Sequence, residues 1–197
     1  MAYQYTIKII FFVCSLFFYS CKQDNSVGNN AILTDKDRLS LHEGDFVLRR
    51  GKGFVSQFII DQLNDSTNLS HIGILTNDNG VLNVIHCLGG EFSSVEGMQI
   101  CTLDEYLSDC YNDGLLVVRS RKCDSRRISA LAKEYLNKKI PFDRKFDFED
   151  STAFSCLELP YNIFKSLNIS YKDMECFRPF QDTTRFQIVL DKRNALR

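Results

Sequence analysis

The chain has 197 residues, with 24 Lys and Arg against 25 Asp and Glu and a formal net charge of -1. That balance excludes the basic footprint of a nucleic-acid-binding protein, and the length suits one domain with a real core. Eight cysteines without a CxxC pair or a regular spacing exclude a disulfide scaffold, although one or two bridges would suit an exported protein.

Lys8 is followed by an apolar run from Ile9 to Tyr19, too short for a membrane span of about 20 residues. It reads as a secretion signal. The run ends in Phe18-Tyr19-Ser20-Cys21. A small residue before a cysteine resembles a bacterial lipoprotein cleavage site. Residues 1–20 are then the signal peptide, and Cys21 is the lipidated first residue of the mature chain. The polar stretch Gln23 to Asn30 lies within a tether over residues 21–37. Residues 38–197 form a single domain. The expectation is an exported protein held on the cell envelope, at the outer membrane, by a lipid anchor and not by a transmembrane helix.

Within the domain, Asp45 to Arg50 reads as a strand entered from a turn at Gly44. Val55 to Leu63 reads as a helix, with Val55, Phe58, Ile59 and Leu63 on one side. His71 to Leu75 and Val81 to Cys87 read as two strands joined by the hairpin turn Asn77-Asp78-Asn79-Gly80. Antiparallel pairing brings His71 and His86 toward the open end of that hairpin. Thr102 and Glu105 form a capping box for a short helix toward Leu107. Leu115 to Arg119 is a further strand. From Ser125, the spacing of Ile128, Leu131, Ala132, Tyr135 and Leu136 predicts an amphipathic helix. A loop rich in Phe and acidic residues runs to Asp150. A helix then opens at Ser155-Cys156, and Phe186 to Leu190 reads as a last strand. The sum is an α+β domain.

Cys156 stands inside the capping signature formed by Ser155 and Glu158, which predicts Cys156 at the first helical position. Free backbone N–H groups there favour a thiolate, lower the thiol pKa and lie near a developing oxyanion. Pro160 lacks the N–H that would bond the Cys156 carbonyl, so a kink is expected in the first turns. The competing reading of Cys156 is a buried structural cysteine. A nucleophilic thiol needs one imidazole as base and a second polar group to hold that ring in the right tautomer. His71 supplies the first. His86 supplies the second by accepting the His71 ring N–H, with Glu91, Glu96 and Asp143 as rivals. His42 has no motif support.

These pieces resemble the permuted papain-like hydrolases of the YiiX/YaeF branch, related to NlpC-type cell-wall peptidases. The matching stretches are Glu43 to Gly51, Ser70-His71-Ile72-Gly73-Ile74, Val84-Ile85-His86-Cys87, Ile140-Pro141-Phe142-Asp143 and Ser155-Cys156-Leu157-Glu158-Leu159, in that order. The resemblance implies a circularly permuted papain-like (NlpC-type) fold, a small antiparallel sheet or barrel with the nucleophile helix packed against it. It implies Cys156 as nucleophile and His71 as base. His86 stands where many of these proteins carry a glutamate and related lipid acyltransferases a histidine. Glu158 matches a recurrent family acid and reads as an anchor of the helix start. Leu157 and Pro160 depart from the commoner small or aliphatic residues.

The functional expectation is a cysteine amidase or peptidase acting through an acyl-enzyme on Cys156, with peptides or peptidoglycan fragments as substrates. A lipid amide or ester hydrolase, or an acyltransferase, is the runner-up, since Phe142, Phe146, Phe148 and Phe154 could line a cleft for acyl chains. A non-catalytic envelope binding lipoprotein is a third reading. Zinc held by His71, His86 and Cys156 lacks a tight ligand-pair spacing, so no metal and no cofactor is expected. The sequence carries no signal of oligomeric state.

Overall fold

The computed structural model describes residues 32–90, 96–171 and 173–193. Its frame is an antiparallel sheet of six strands: β1 (Phe46–Gly51), β2 (His71–Asp78), β3 (Val81–Leu88), β4 (Gly97–Thr102), β5 (Cys110–Ser120) and β6 (Phe186–Asp191). Their order across the sheet is β4-β3-β2-β1-β5-β6. Among the described residues five helices accompany them: α1 (Asp35–Ser40), α2 (Phe54–Leu63), α3 (Leu103–Ser108), α4 (Ser125–Asn137) and α5 (Glu158–Ser166), with a 3-10 turn at Arg178–Gln181. This is an α+β architecture with packed helices, and the sheet form of the expected alternatives.

Both faces of the sheet are covered, which explains why β1 and β2 read as continuous apolar runs and not as alternating ones. Phe46, Leu48, Ile72, Ile74, Ile85, Cys87, Leu116 and Val118 face Ile128 and Ala132 of α4 and Leu159, Ile163 and Phe164 of α5. Phe46 anchors an aromatic cluster, with its ring centroid 5.4 Å from Phe164, 5.5 Å from Phe180 and 5.9 Å from Phe186. Val47, Leu75, Val84, Leu115 and Val117 form the other face, under Leu103, Tyr106 and Leu107 of α3.

Local signals behave as the sequence predicts in three places. Asn79 and Gly80 adopt φ of 55° and 90° and join β2 to β3, as a two-residue hairpin loop requires. The Thr102–Glu105 capping box opens α3. The α4 stripe is buried at Ile128, Ala132 and Tyr135. Two features were not foreseen. β4 pairs along β3 from Asn83↔Thr102 to Leu88↔Gly97, in a stretch without apolar alternation. α1 starts at Asp35, behind a Thr34–Asp37 capping box, and Leu33 is buried; folded structure therefore begins inside the segment read as tether.

Candidate active site

His71 opens β2 and His86 lies near the end of β3, where the register pairs Gly73 with His86. His71 and Gly73 are two apart in the strand and so share a face. Gly73 leaves that face clear. A Cβ at Gly73 would lie 2.3 Å from a Val84 methyl carbon and 3.3 Å from the His86 Cβ. In the space so kept, His71 Nε2 sits 3.0 Å from His86 Nδ1, with the ring planes at 80°. His86 is thus the group at the His71 ring. The rival acids are engaged elsewhere. Asp143 accepts the N–H groups of Lys145 and Asp147, and Glu96 pairs with Arg144 at 3.0 Å. Glu91 and Cys21 lie outside the described residues. His42 sits before β1, its backbone N–H donated to Asp45.

Two residues that sequence reasoning missed lie against the histidines or beside them, and the Cys101 sulfur sits 3.6 Å from His86 Nε2. The Tyr106 ring packs against both imidazoles, at centroid distances of 5.7 Å and 5.3 Å, and its hydroxyl donates to the Val47 carbonyl at 3.0 Å. The Arg49 guanidinium stacks on the same ring at 4.7 Å and pairs with Asp109 at 2.7 Å. Tyr106 carries no motif, and Arg49 lies in the Glu43 to Gly51 stretch without a role assigned from it; α3 and β1 meet the histidines only through the fold. Burial holds the His71 pKa well below its ordinary value, helped by repulsion from His86 and Arg49. Burial and Arg49 pull His86 down to about 4. Both rings are therefore neutral at neutral pH.

Cys156 occupies the turn before α5. The capping bonds expected of Ser155 and Glu158 are both made. The Ser155 N–H donates to Glu158 Oε2 at 2.7 Å, and the Glu158 N–H donates to Ser155 Oγ at 3.4 Å. Regular helix nevertheless starts at Glu158, two residues later than expected for Cys156. Pro160 cannot donate to the Cys156 carbonyl, so the first turn is incomplete at that residue. Glu158 is fully buried. Burial raises its pKa, while Ser155 opposes the rise.

The thiol corrects a second expectation. The backbone N–H groups of Leu157 and Cys156 itself favour the thiolate, as a helix start should, and that of Ile72 in β2 adds to them. Burial outweighs them and pushes the Cys156 thiol up to about 11. An isolated helix start lowers a thiol pKa; this one is half-buried against the core. With His71 also neutral, the resting pair is thiol and imidazole.

Cys156 and His71 line one cavity of about 900 Å³, together with Cys87, Phe142, Phe146 and Phe148. Phe154, expected among the lining residues, is instead a core side chain packed edge-to-face with Tyr135 at 5.1 Å. Its backbone closes the site. A bridge between Phe142 and Phe154 ties both ends of the intervening loop, and the Cys87 thiol donates to the Phe154 carbonyl at 2.8 Å. Among the described residues no group of three or more His, Cys, Asp or Glu could hold a metal ion.

The fold and the order of these residues have counterparts. The model of the "Permuted papain-like amidase enzyme, YaeF/YiiX, C92 family" matches residues 40–186. The chain is similar to the crystal structure of metalloprotein yiiX from Escherichia coli O157:H7, with 19% identity and a TM-score of 0.52. The similarity covers 64% of this chain and 66% of that one, and at this identity it shows the fold alone. The comparison with curated proteins finds no match. With the family model spanning β1 to β5, the histidine hairpin and the Cys156 turn, the chain belongs to the C92 family of permuted papain-like amidases, the YaeF/YiiX type.

Proposed function

We propose that the chain is a cysteine amidase with Cys156 as nucleophile, His71 as base and His86 as the group that orients His71. The observation that carries this reading is the 3.0 Å contact of His71 Nε2 with His86 Nδ1 at the wall of the cavity that Cys156 also lines. His86 engages one His71 nitrogen and leaves Nδ1 for the thiol.

The resting dyad is neutral, so proton transfer accompanies attack. Cys156 Sγ bonds to the substrate carbonyl carbon as its proton passes to His71 Nδ1. Backbone N–H groups at the helix start would hold the oxyanion. The C–N bond then breaks, and His71 gives its proton to the departing amine. Water enters, loses a proton to His71 and attacks the thioester. The acid leaves, and the proton returns to the Cys156 sulfur. Neutral His86 accepts the His71 N–H throughout and carries no full negative charge, so the imidazolium is stabilised less than beside a carboxylate.

Peptide or peptidoglycan amides suit an exported lipoprotein of this family; that substrate class rests on analogy and on the expected location. The apolar lining of the cavity, with Phe142, Phe146, Phe148 and Leu157 around the thiol, favours a second reading: amides or esters of acyl chains, hydrolysed or passed to another acceptor. Assay of the full chain on muropeptides, N-acyl amides and acyl esters, each against Cys156→Ala, tests both. Cys156-dependent release from muropeptides supports the first reading, and from acyl substrates alone the second. Activity that survives Cys156→Ala overturns the proposed nucleophile. Binding without turnover of any of them indicates a non-catalytic envelope protein.

A further inference from the structure

α2 is an anomaly of packing. Its sequence, FVSQFIIDQL, is rich in large apolar residues, yet none of its ten side chains is fully buried. Phe54 and Phe58 are 83% and 52% exposed. A surface helix normally turns its apolar stripe into the core. Here the stripe Val55, Phe58, Ile59 and Leu63 lines the cavity instead, together with Phe142 and Phe146. Ile59 and Leu63 touch the core edge only in part.

Both ends of α2 are built as joints between fixed points. Gly53 precedes it at φ 104°, a conformation L side chains rarely adopt, and nothing lies within 4 Å of where its Cβ would be. Asn64 ends it in the left-handed region at φ 44°. Outside these two residues the chain is pinned. The Gly51 N–H donates to Ser70 Oγ at 2.9 Å, and the Lys52 N–H donates to the Asp109 carbonyl at 2.9 Å. On the far side, the Asp65 carboxylate accepts from Thr67, Phe177 and Arg178 N–H groups at 2.8 to 2.9 Å. A short helix with little buried area, held between a glycine and a left-handed asparagine, moves at low cost relative to its anchors.

We propose that α2 is a hinged wall of the catalytic cavity that closes on the acyl side of the substrate and selects for apolar chains. This rests on the reading of Cys156 and His71 as the reacting pair and names what that pair acts on. An acyl chain entering between α2 and the Phe142–Phe146 wall covers the apolar surface that the helix leaves open. Each methylene so buried contributes about 0.8 kcal/mol, roughly a fourfold gain. Val55, Phe58 and Ile59 act as specificity residues and take no part in the bond chemistry.

The test uses the full chain and one amine acylated from acetyl to decanoyl. kcat/KM should climb with chain length by up to roughly fourfold per methylene until the cavity is filled. Phe58→Ser should lose activity in proportion to chain length, with a loss about tenfold or more greater at decanoyl than at acetyl. In Cys156→Ala, saturating decanamide should slow amide hydrogen exchange across residues 54–63, and acetamide should not. A flat chain-length series, a Phe58→Ser loss equal at every length, or unchanged exchange in α2 with decanamide overturns the proposal. If no amide is cleaved, the reading of Cys156 fails, and the exchange measurement still decides the role of α2.

Discussion

His71 Nε2 and His86 Nδ1 lie 3.0 Å apart, and in the proposed mechanism this one contact gives two similar residues different tasks. On that proposal the ring that shares Nε2 keeps Nδ1 for the thiol, and the other ring holds it there. His71→Ala should therefore lower turnover about 100- to 10,000-fold, the range for a lost general base. His86→Ala should cost less, since the base remains but is poorly oriented. His86→Glu should keep substantial activity, because a carboxylate also accepts the His71 N–H. Turnover of the three variants on one substrate, with folding checked for each, decides this. An inactive His86→Ala beside a nearly unimpaired His71→Ala would reverse the assignment.

The glycine opposite His86 should matter as much as the histidines. Gly73→Ala places a methyl 2.3 Å from Val84 and 3.3 Å from the His86 Cβ, so the strand pair must shift. Overpacking of this kind costs about 1–3 kcal/mol. The expected result is a measurable fall in the urea midpoint together with a loss of activity on the scale of His86→Ala. Wild-type activity in Gly73→Ala would show that the ring contact tolerates displacement.

Alkylation of Cys156 should be slow at neutral pH. Burial pushes the thiol up to about 11, so at pH 8 about one molecule in a thousand is thiolate, the reactive form. The iodoacetamide rate should rise close to tenfold per pH unit from pH 7 upward. Rapid labelling at pH 7 that is flat with pH would reveal a preformed thiolate–imidazolium pair instead.

Stability should fall in mild acid. His86 is held near 4 in the fold against an ordinary value of 6.5, and His71 also lies well below 6.5. Between these values the unfolded chain binds the protons that the folded chain refuses. The stabilisation is complete above pH 6.5 and is lost as pH falls toward 4. His86 alone accounts for about 3 kcal/mol across that window. Urea midpoints at pH 7.5, 6, 5 and 4 should decline, and His86→Asn should flatten the decline. A slope unaffected by that substitution would place its origin elsewhere.

Cys21 is expected to carry lipid. Intact mass of the membrane-extracted protein should show a diacylglyceryl adduct on a chain beginning at Cys21. Retention of residues 1–20, or a soluble form cleaved elsewhere, would refute the anchor.

Much of the frame was legible because it rests on local chemistry. Asn79-Gly80 specifies a tight hairpin, which alone brings His71 and His86 toward one end of a strand pair. The Thr102–Glu105 box and the α4 stripe need only neighbouring residues to act. β4 was not legible. It is an edge strand whose partner, β3, supplies the pairing that its own pattern does not announce. α2 was legible as a helix, but its apolar side was not legible as a cavity wall, since periodicity cannot tell a core from a cleft.

The order of His71, His86 and Cys156, and the capping bonds of Ser155 and Glu158, belong to the sequence itself. The state of the thiol belongs to the tertiary structure. Two backbone N–H groups at the turn, Cys156 and Leu157, and a third from Ile72 in β2 favour the thiolate, and burial reverses the balance. Tyr106 and Arg49 likewise reach the histidines only because α3 and β1 converge there. Local signals place groups along the chain. Desolvation depends on everything that surrounds them, and only the folded chain decides that.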